Sequence, residues 1–215
     1  NNTAFPYPEK MIAQIVSDQN TQFLLFKEQK QEGYSARPED LDELIQNQKN
    51  WTVFNGGGSL SAPLWSFNQN PKNNNKKYYN WFTKKEFRQA MSCLLNRQRI
   101  IQQAYRGLAE PKYSFFAEGN PFYSPDISLA YRYNPEQALI LLNKIGMTQK
   151  EDGFLYDAQN NKIEFDLSIV SDSSTFSDIA SIVVDECAKI GITVNIRTTD
   201  FQKIVEITNN IKIEA

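Results

Sequence analysis

Three consecutive glycines, Gly56, Gly57 and Gly58, are the residues most suggestive of a chemical role, because glycine-rich loops often hold phosphates through backbone N–H groups. A P-loop needs a Lys and a Ser or Thr after its last glycine, and a dinucleotide fingerprint needs a helix there. Here Ser59 and Leu60 follow and a strand is predicted next, so both phosphate-binding interpretations fail. The local sequence favours a flexible turn, and close backbone approach to a ligand is the alternative.

The chain offers few groups for catalysis. None of its 215 residues is a histidine, which removes the commonest general base and the usual zinc ligands. It contains no Gly-x-Ser-x-Gly motif, and the acidic cluster at 39–43 is interpreted as the first turn of a helix. We therefore predict that the protein is not an enzyme and carries no cofactor or metal. Cys93 and Cys187 are interpreted either as a disulfide or as two buried thiols.

Composition limits the partners. The formal net charge is −2, which predicts no binding of nucleic acid, and the lysines at 76–77 and 84–85 are interpreted as a solvated loop.

Apolar residues make up 40% of the chain, enough for one substantial core or two small ones. No apolar run approaches the roughly 20 residues of a membrane span, and no signal peptide is visible. The abrupt start at Asn1 predicts the interior of a longer protein.

Helices are predicted where capping residues and apolar periodicity coincide. The ranges are 37–48, 83–105, 134–146, 175–191 and 200–208. Thr83 and Glu86 form a predicted capping box at the start of the second helix, and Gly107 ends it. Asn134 is expected to cap the third helix and Gly146 to stop it.

Strands are predicted for the short apolar or alternating runs. The ranges are 22–27, 51–54, 62–68, 162–170, 193–199 and 211–215. Trp65 and Phe67 are expected to share one face of the third. From residue 162 onward the order is β-α-β-α-β, with Asp200 as the cap of the last helix, which predicts a parallel crossover and a layered α/β domain. No linker is evident, so a single domain over residues 1–215 is expected.

Five motifs follow one another along the chain. They are "FKEQKQEGYSARPEDLDEL", "WTVFNGGG…WSFNQNP", "FTKKEFRQAMSCLLNRQRIIQQAYRGLAEP", "YNPEQALILLNKIGM" and "IVSDSSTFSDIASIVVDECAKIGITVNI". In this order they resemble the extracellular solute-binding proteins of the peptide/nickel type, family 5, which serve ABC importers. The resemblance covers about residues 20–205. The third motif departs from the family at Leu95-Asn96-Arg97, where Ile-Asp-Arg is usual.

The resemblance implies an α/β fold, the lobe of a type II periplasmic-binding protein, with a mixed β-sheet and helices packed on both faces. Family members have two lobes that close on the ligand. The resemblance implies that this chain is the second, C-terminal lobe without the flanking first-lobe segments. The family's acidic residue for the peptide amino terminus lies beyond the last strand here, so the lone lobe is expected to bind ligand weakly.

The resemblance also places two segments at the ligand cleft. They are Tyr34, Ser35, Ala36 and Arg37, and the stretch from Asn55 to Trp65, which includes Gly56, Gly57, Gly58 and Ser59. Arg37 is interpreted either as the partner of a ligand carboxylate or as a surface residue at a helix start. Trp65 is interpreted either as a pocket wall or as a core residue.

The implied function is the capture of an oligopeptide or similar small solute for the permease subunits of an ABC importer. The implied location is periplasmic or extracellular, as a lipoprotein tethered to the membrane by sequence outside this chain. One alternative is a sensor or signalling protein on the same fold, and another is a binder of nickel or a different solute. Without histidine, direct metal ligation by this lobe is not expected, whereas chelated metals can bind through arginine and aromatic residues.

Overall fold

The computed structural model describes residues 9–48, 50–59, 62–72, 75–124, 126 and 131–209. It divides into two compact units, one ending at Ala36 and one beginning at Arg37. The single domain expected from the sequence stays a prediction. The strand expected at 211–215 lies outside the described residues.

In the first unit, residues Gln19–Lys27 form helix α1. Asp18 caps this helix, because its Oδ1 accepts a hydrogen bond from the N–H of Thr21 at 2.7 Å. The strand predicted for 22–27 is therefore wrong. A short apolar run does not distinguish a strand from a buried helix, and the deciding signal is the cap upstream of the run. Phe23 is the buried residue of α1, and its ring centroid lies 5.4 Å from that of Tyr34.

The second unit combines helices with two short sheets. Its helices are α2 (Leu41–Gln46, after a 3₁₀ turn at Pro38–Asp40), α3 (Lys76–Phe82), α4 (Lys85–Leu94), α5 (Arg97–Gln103), α6 (Pro135–Asn143), α7 (Ser174–Ala188) and α8 (Phe201–Asn209). Its strands are β1 (Thr148–Gln149), β2 (Leu155–Tyr156), β3 (Glu164–Val170) and β4 (Thr193–Thr199). The β1–β2 pair is antiparallel and the β3–β4 pair is parallel, in separate sheets. The α/β class is confirmed.

The β3–α7–β4 segment confirms the predicted parallel crossover. Phe165 of β3 pairs in register with Val194 of β4, and both side chains are buried. Ser173 caps α7 through its side-chain oxygen. Asp200 caps α8 as predicted, since its Oδ1 accepts from the N–H of Lys203 at 2.7 Å.

Helix α6 confirms the prediction for 134–146. Asn134 Oδ1 accepts from the N–H of Gln137 at 2.9 Å, and Pro135 occupies the first helical position. Gly146 has a φ of +80°, which suits the left-handed residue that commonly ends a helix. The hairpin of β1 and β2 follows directly, and its two-residue strands are too short to leave an alternating pattern in the sequence.

The helix predicted over 83–105 is two helices, α4 and α5. Leu95 has a ψ of 97°, outside the helical range, and interrupts the run. Asn96 then starts α5, because its Oδ1 accepts from the N–H of Arg99 at 3.0 Å. Asn side chains compete with helical backbone bonds in this way. As predicted, the chain turns away at Gly107, whose φ is +80°.

The capping box predicted at Thr83 is wrong. Thr83 follows the end of α3, and its hydroxyl donates to the carbonyl of Tyr79 at 2.7 Å. Helix α3, capped by Asn75, contains Lys76 and Lys77, so the interpretation of these lysines as a solvated loop is also wrong. The residues just before α4 thus form a separate helix and not a loop.

The strands predicted at 51–54 and 62–68 are wrong, because within the described residues neither range pairs with a strand. The predicted alternation is nevertheless present over 64–67. Trp65 and Phe67 pack against the core, whereas Leu64 and Ser66 are exposed. Alternation reports which residues are buried, and a strand also requires a hydrogen-bonded neighbour.

Gly191, in the turn between α7 and β4, packs directly on the backbone of the β1–β2 hairpin. A Cβ atom at this position would lie 2.3 Å from the carbonyl oxygen of Gly153 and 2.8 Å from the nitrogen of Leu155. The φ of Gly191 is +83°, a region that side chains disfavour. Gly153 has nearly the same φ, +82°, but a Cβ there would meet nothing within 4 Å.

We expect Gly191→Ala to lower the free energy of unfolding by about 3 kcal/mol, from backbone strain plus overpacking. Gly153→Ala is the matched control and is expected to cost about 1 kcal/mol, from strain alone. Urea denaturation of both variants measures the difference. Equal losses would show that the close contact at Gly191 relaxes without cost.

Candidate functional site

The candidate site centres on residues 54–59, which we call the glycine segment. All six residues are exposed, and Phe54 exposes 82% of its surface. A Cβ atom added to any of the three glycines would meet no atom of the described residues within 4 Å. Asn55 Oδ1 accepts from the N–H of Gly57 at 2.8 Å, and Gly57 has a φ of +87°. The segment therefore presents backbone groups to solvent with little side-chain cover.

Aromatic residues hold the chain on both sides of the glycine segment. Before it, Trp51 Nε1 donates to the carbonyl of Leu44 in α2 at 2.9 Å. After it, the ring of Trp65 lies 4.9 Å from that of Phe67 and 6.3 Å from that of Phe165. Trp65 thus has a core-packing role, and its role as a pocket wall stays a prediction.

Arg37 pairs with a buried carboxylate of the same unit. Its Nε lies 2.6 Å and its Nη2 2.7 Å from the two carboxylate oxygens of Asp40, which is 5% exposed. This bidentate geometry is the strong form of the Arg–carboxylate pair. The structure therefore favours the helix-start interpretation of Arg37, and the predicted pairing with a ligand carboxylate would have to compete with Asp40.

Tyr34, Ser35 and Ala36 belong to the first unit. The Tyr34 ring lies 5.8 Å from that of Phe26, in addition to its contact with Phe23, and is half-buried. Ser35 and Ala36 are exposed. The predicted site residues are thus divided between the units, with these three in the first and the remaining seven in the second.

A strongly perturbed carboxylate lies away from the predicted site. Glu186 of α7 is 1% exposed, and its oxygens lie 2.5 Å from Lys189 Nζ, 2.6 Å from the Tyr133 hydroxyl and 3.1 Å from Arg99 Nη1. Asn96 Nδ2 adds a longer bond of 3.3 Å. Burial opposes ionisation, yet the hydrogen bonds from Lys189, Tyr133 and Arg99 outweigh it and lower the Glu186 pKa to about 2.

Sequence reasoning missed this carboxylate. The available signal was a Glu on the same face of α7 as Val183 and next to Cys187, both buried. Since charged side chains are almost never fully buried unless they are paired, such a position predicts a basic partner. The donors to Glu186 among the described residues are all side chains packed around α7, so the arrangement stabilises the fold.

Nucleophilic or metal chemistry has little support in the described part of the chain. Cys93 and Cys187 are buried and free, which confirms the thiol interpretation. Burial raises the pKa of both, to about 12 for Cys187, so neither forms a reactive thiolate at neutral pH. No three His, Cys, Asp or Glu side chains there are grouped to hold a metal ion. No described helix is both long and apolar enough to cross a bilayer.

Comparison with known proteins points to one family. The model of the bacterial extracellular solute-binding proteins, family 5 (middle region), matches residues 4–213. A probable ABC transporter-binding protein of Deinococcus radiodurans is 30% identical over 210 residues, which cover 94% of this chain and 35% of that protein. The chain therefore spans about a third of the length of this relative.

Two solved structures show the same fold. The oligopeptide-binding protein AppA of Bacillus subtilis, in complex with a nonapeptide, matches with a TM-score of 0.69 and 22% identity over 89% of this chain and 36% of its own. NikZ of Campylobacter jejuni, in complex with Ni(L-His), matches with a TM-score of 0.69 and 16% identity over 86% and 35%. At these identities the likeness shows the fold alone.

We expect Arg37→Ala to destabilise the protein by about 3 kcal/mol, because it leaves the Asp40 carboxylate buried without its guanidinium partner. Chemical denaturation measures the change. Arg106→Ala is the control, since Arg106 is half-exposed and lies 3.9 Å from Asp42, a surface pair worth less than about 1 kcal/mol. A ligand-pairing role for Arg37 predicts the opposite result, unchanged stability with weakened ligand binding.

We expect Glu186→Gln to lower the free energy of unfolding by about 3 kcal/mol at neutral pH, the equivalent of a pKa lowered from 4.5 to about 2. Because the folded-state pKa is lowered, the stabilisation is complete above about pH 4.5 and is lost as the pH falls toward 2. Denaturation across this range should therefore show a weaker pH dependence for the variant. Asp185→Asn, at an adjacent exposed carboxylate, is the control and should change little.

Proposed function

Because this chain belongs to the bacterial extracellular solute-binding proteins of family 5, we propose that it is the C-terminal lobe of a receptor that captures oligopeptides for an ABC importer. The receptor binds its ligand between two lobes in the periplasm or outside the cell. It delivers the ligand to permease subunits and is held at the membrane by a lipid anchor outside this chain.

The observation that carries the proposal is the bare backbone of the glycine segment. Peptides of different sequence have only their backbone N–H and C=O groups in common. A receptor for varied peptides therefore needs groups that hydrogen-bond to the peptide backbone. Residues 56–58 supply such groups without side chains in the way, and Asn55 uses its side chain to hold the turn at Gly57. The similar fold of AppA, solved with a nonapeptide, supports this choice of ligand.

Other residues implied by the family resemblance remain in the proposal. Ser59 continues the exposed backbone of the second unit. For Tyr34, Ser35 and Ala36, which belong to the first unit, a ligand-facing role rests on the resemblance alone. Arg37 contributes by holding the start of the 3₁₀ turn through Asp40. Trp65 contributes by fixing the end of the glycine segment to the core.

A nickel chelate is the second candidate ligand, because NikZ, solved with Ni(L-His), matches the fold with an equal TM-score. The chain has no histidine to ligate a metal. This candidate therefore requires recognition of the organic chelator, through aromatic and polar groups.

We expect the full-length protein, purified from its source under native conditions, to carry a mixture of short peptides. Native mass spectrometry followed by denaturing release measures the masses of the bound species. A homogeneous metal chelate, sugar or nucleotide in place of peptides would contradict the proposal.

The substitution Gly58→Val in the full-length protein tests whether the glycine segment contacts the ligand. Gly58 does not have a positive φ, and its Cβ would meet no atom within 4 Å in the part of the chain that the structure describes, so folding should be unaffected. Peptide affinity, measured by calorimetry with the released peptides, should fall at least about tenfold, or 1.4 kcal/mol, because the valine covers the backbone. Unchanged affinity would remove the segment from the site.

A further inference from the structure

Asn55 and Gly56 place an exposed asparagine before a residue that has no side chain, in a segment without regular secondary structure. We propose that Asn55 is a site of spontaneous deamidation, a covalent modification that requires only water and releases ammonia. The chemistry does not depend on the proposed function, and only its consequence for ligand binding does.

The reaction has two balanced steps. In the first, the deprotonated backbone nitrogen of Gly56 attacks Cγ of Asn55. A C–N bond forms, the bond from Cγ to Nδ2 breaks, and the amide nitrogen takes up protons and leaves as ammonia. In the second, water opens the resulting succinimide ring at either carbonyl, which yields aspartate or isoaspartate. The sum is asparagine plus water to an acidic residue plus ammonia.

The geometry of the segment favours the first step. A side chain on the residue after asparagine hinders attack, and Gly56 has none. A Cβ built there would meet no atom of the described residues within 4 Å, so the space beside Gly56 is open. The Gly57 N–H donates to Asn55 Oδ1 at 2.8 Å, which holds the carboxamide on the C-terminal side of Asn55, the side on which the Gly56 nitrogen lies. That bond also withdraws electron density from Cγ, which makes it a better target.

A second Asx-Gly pair in the same chain provides an internal contrast. Asp152 precedes Gly153 in the β1–β2 hairpin. Its Oδ1 accepts from the Phe154 N–H at 3.0 Å, the same kind of bond as that between Asn55 and Gly57, but its Oδ2 also accepts from the Tyr156 hydroxyl at 2.7 Å. The Gly153 N–H donates to the carbonyl of Lys150 at 2.9 Å. The attacking nitrogen is thus engaged in a hydrogen bond and the second carboxylate oxygen is held by Tyr156, so the corresponding ring closure at Asp152 should be slow.

Deamidation would alter the segment in two ways. Either product adds a negative charge to a chain whose formal net charge is −2. Isoaspartate also inserts a methylene group into the backbone, which shifts the N–H and C=O groups of the glycines that follow. If the glycine segment contacts the ligand as proposed, the modified protein would bind it differently from the unmodified protein.

The test is incubation of the folded protein in mildly alkaline buffer, followed by digestion under acidic conditions and peptide mass spectrometry. We expect a mass increase of about 1 Da to accumulate at Asn55, with two chromatographically separate products. Asn50 and Asn68, in the same stretch, should convert several-fold more slowly, because Trp51 and Gln69 follow them. Asn70 precedes Pro71, which has no N–H to attack with.

Two variants and an unfolded sample complete the experiment. Gly56→Ala should slow the conversion several-fold, whereas Gly58→Ala, which leaves the Asn-Gly pair intact, should not. In urea the rate at Asn55 should be similar to that of the folded protein, whereas isoaspartate at Asp152 should form faster than in the folded protein. A folded-state rate at Asn55 far below the rate in urea, or no faster than at Asn68, would overturn the proposal.

Discussion

The second unit depends on a cluster of aromatic side chains around Phe165 of β3. The ring of Phe165 lies 5.5 Å from that of Phe82 and 6.0 Å from that of Phe87, and all three are fully buried. Phe67 joins the cluster at 5.2 Å from Phe82. One contact region therefore connects a parallel strand, two helices and an irregular segment. Aromatic pairs of this kind contribute about 0.5–1.5 kcal/mol each beyond the area they bury.

This cluster explains how a loop without side chains can be presented to solvent. Three glycines in succession lose more conformational entropy on ordering than other residues would, and they have no side chains whose contacts could offset this cost. Its position is determined at the ends, by the bond from Trp51 to α2 and by Trp65 beside the aromatic cluster. The scaffold supplies the stability, and the segment remains available for a partner.

The elements that the sequence predicts correctly are those that carry their own boundary signals. Asn134 and Asp200 each mark a helix start through a local hydrogen bond that depends on a few neighbouring residues. The neighbour that a strand must pair with has no such local signal in the sequence. Residues 62–68 therefore show the alternation of a strand without forming one. The hydrogen-bonding partners of Glu186 lie 53, 87 and 90 positions away, apart from Lys189 just after α7. Its need for a partner was therefore predictable from the sequence, whereas the network itself was not.

The exposed character of the glycine segment was predictable from its composition, whereas the engagement of Arg37 was not. Glycine has no side chain to bury, so a run of three is most often a surface feature. An arginine at a helix start, in contrast, is equally compatible with a ligand and with a local acid. The choice depends on whether Asp40 is buried, which is a property of the packed protein.

The buried carboxylate also gives residue 96 a reason to be an amide. Asn96 performs two tasks, since its Oδ1 accepts from the Arg99 N–H and its Nδ2 donates to Glu186 Oε1. An aspartate could accept the first bond but would bring a second negative charge to Glu186. The residue types at positions 96 and 186 therefore depend on each other, although the two positions are 90 residues apart in the sequence.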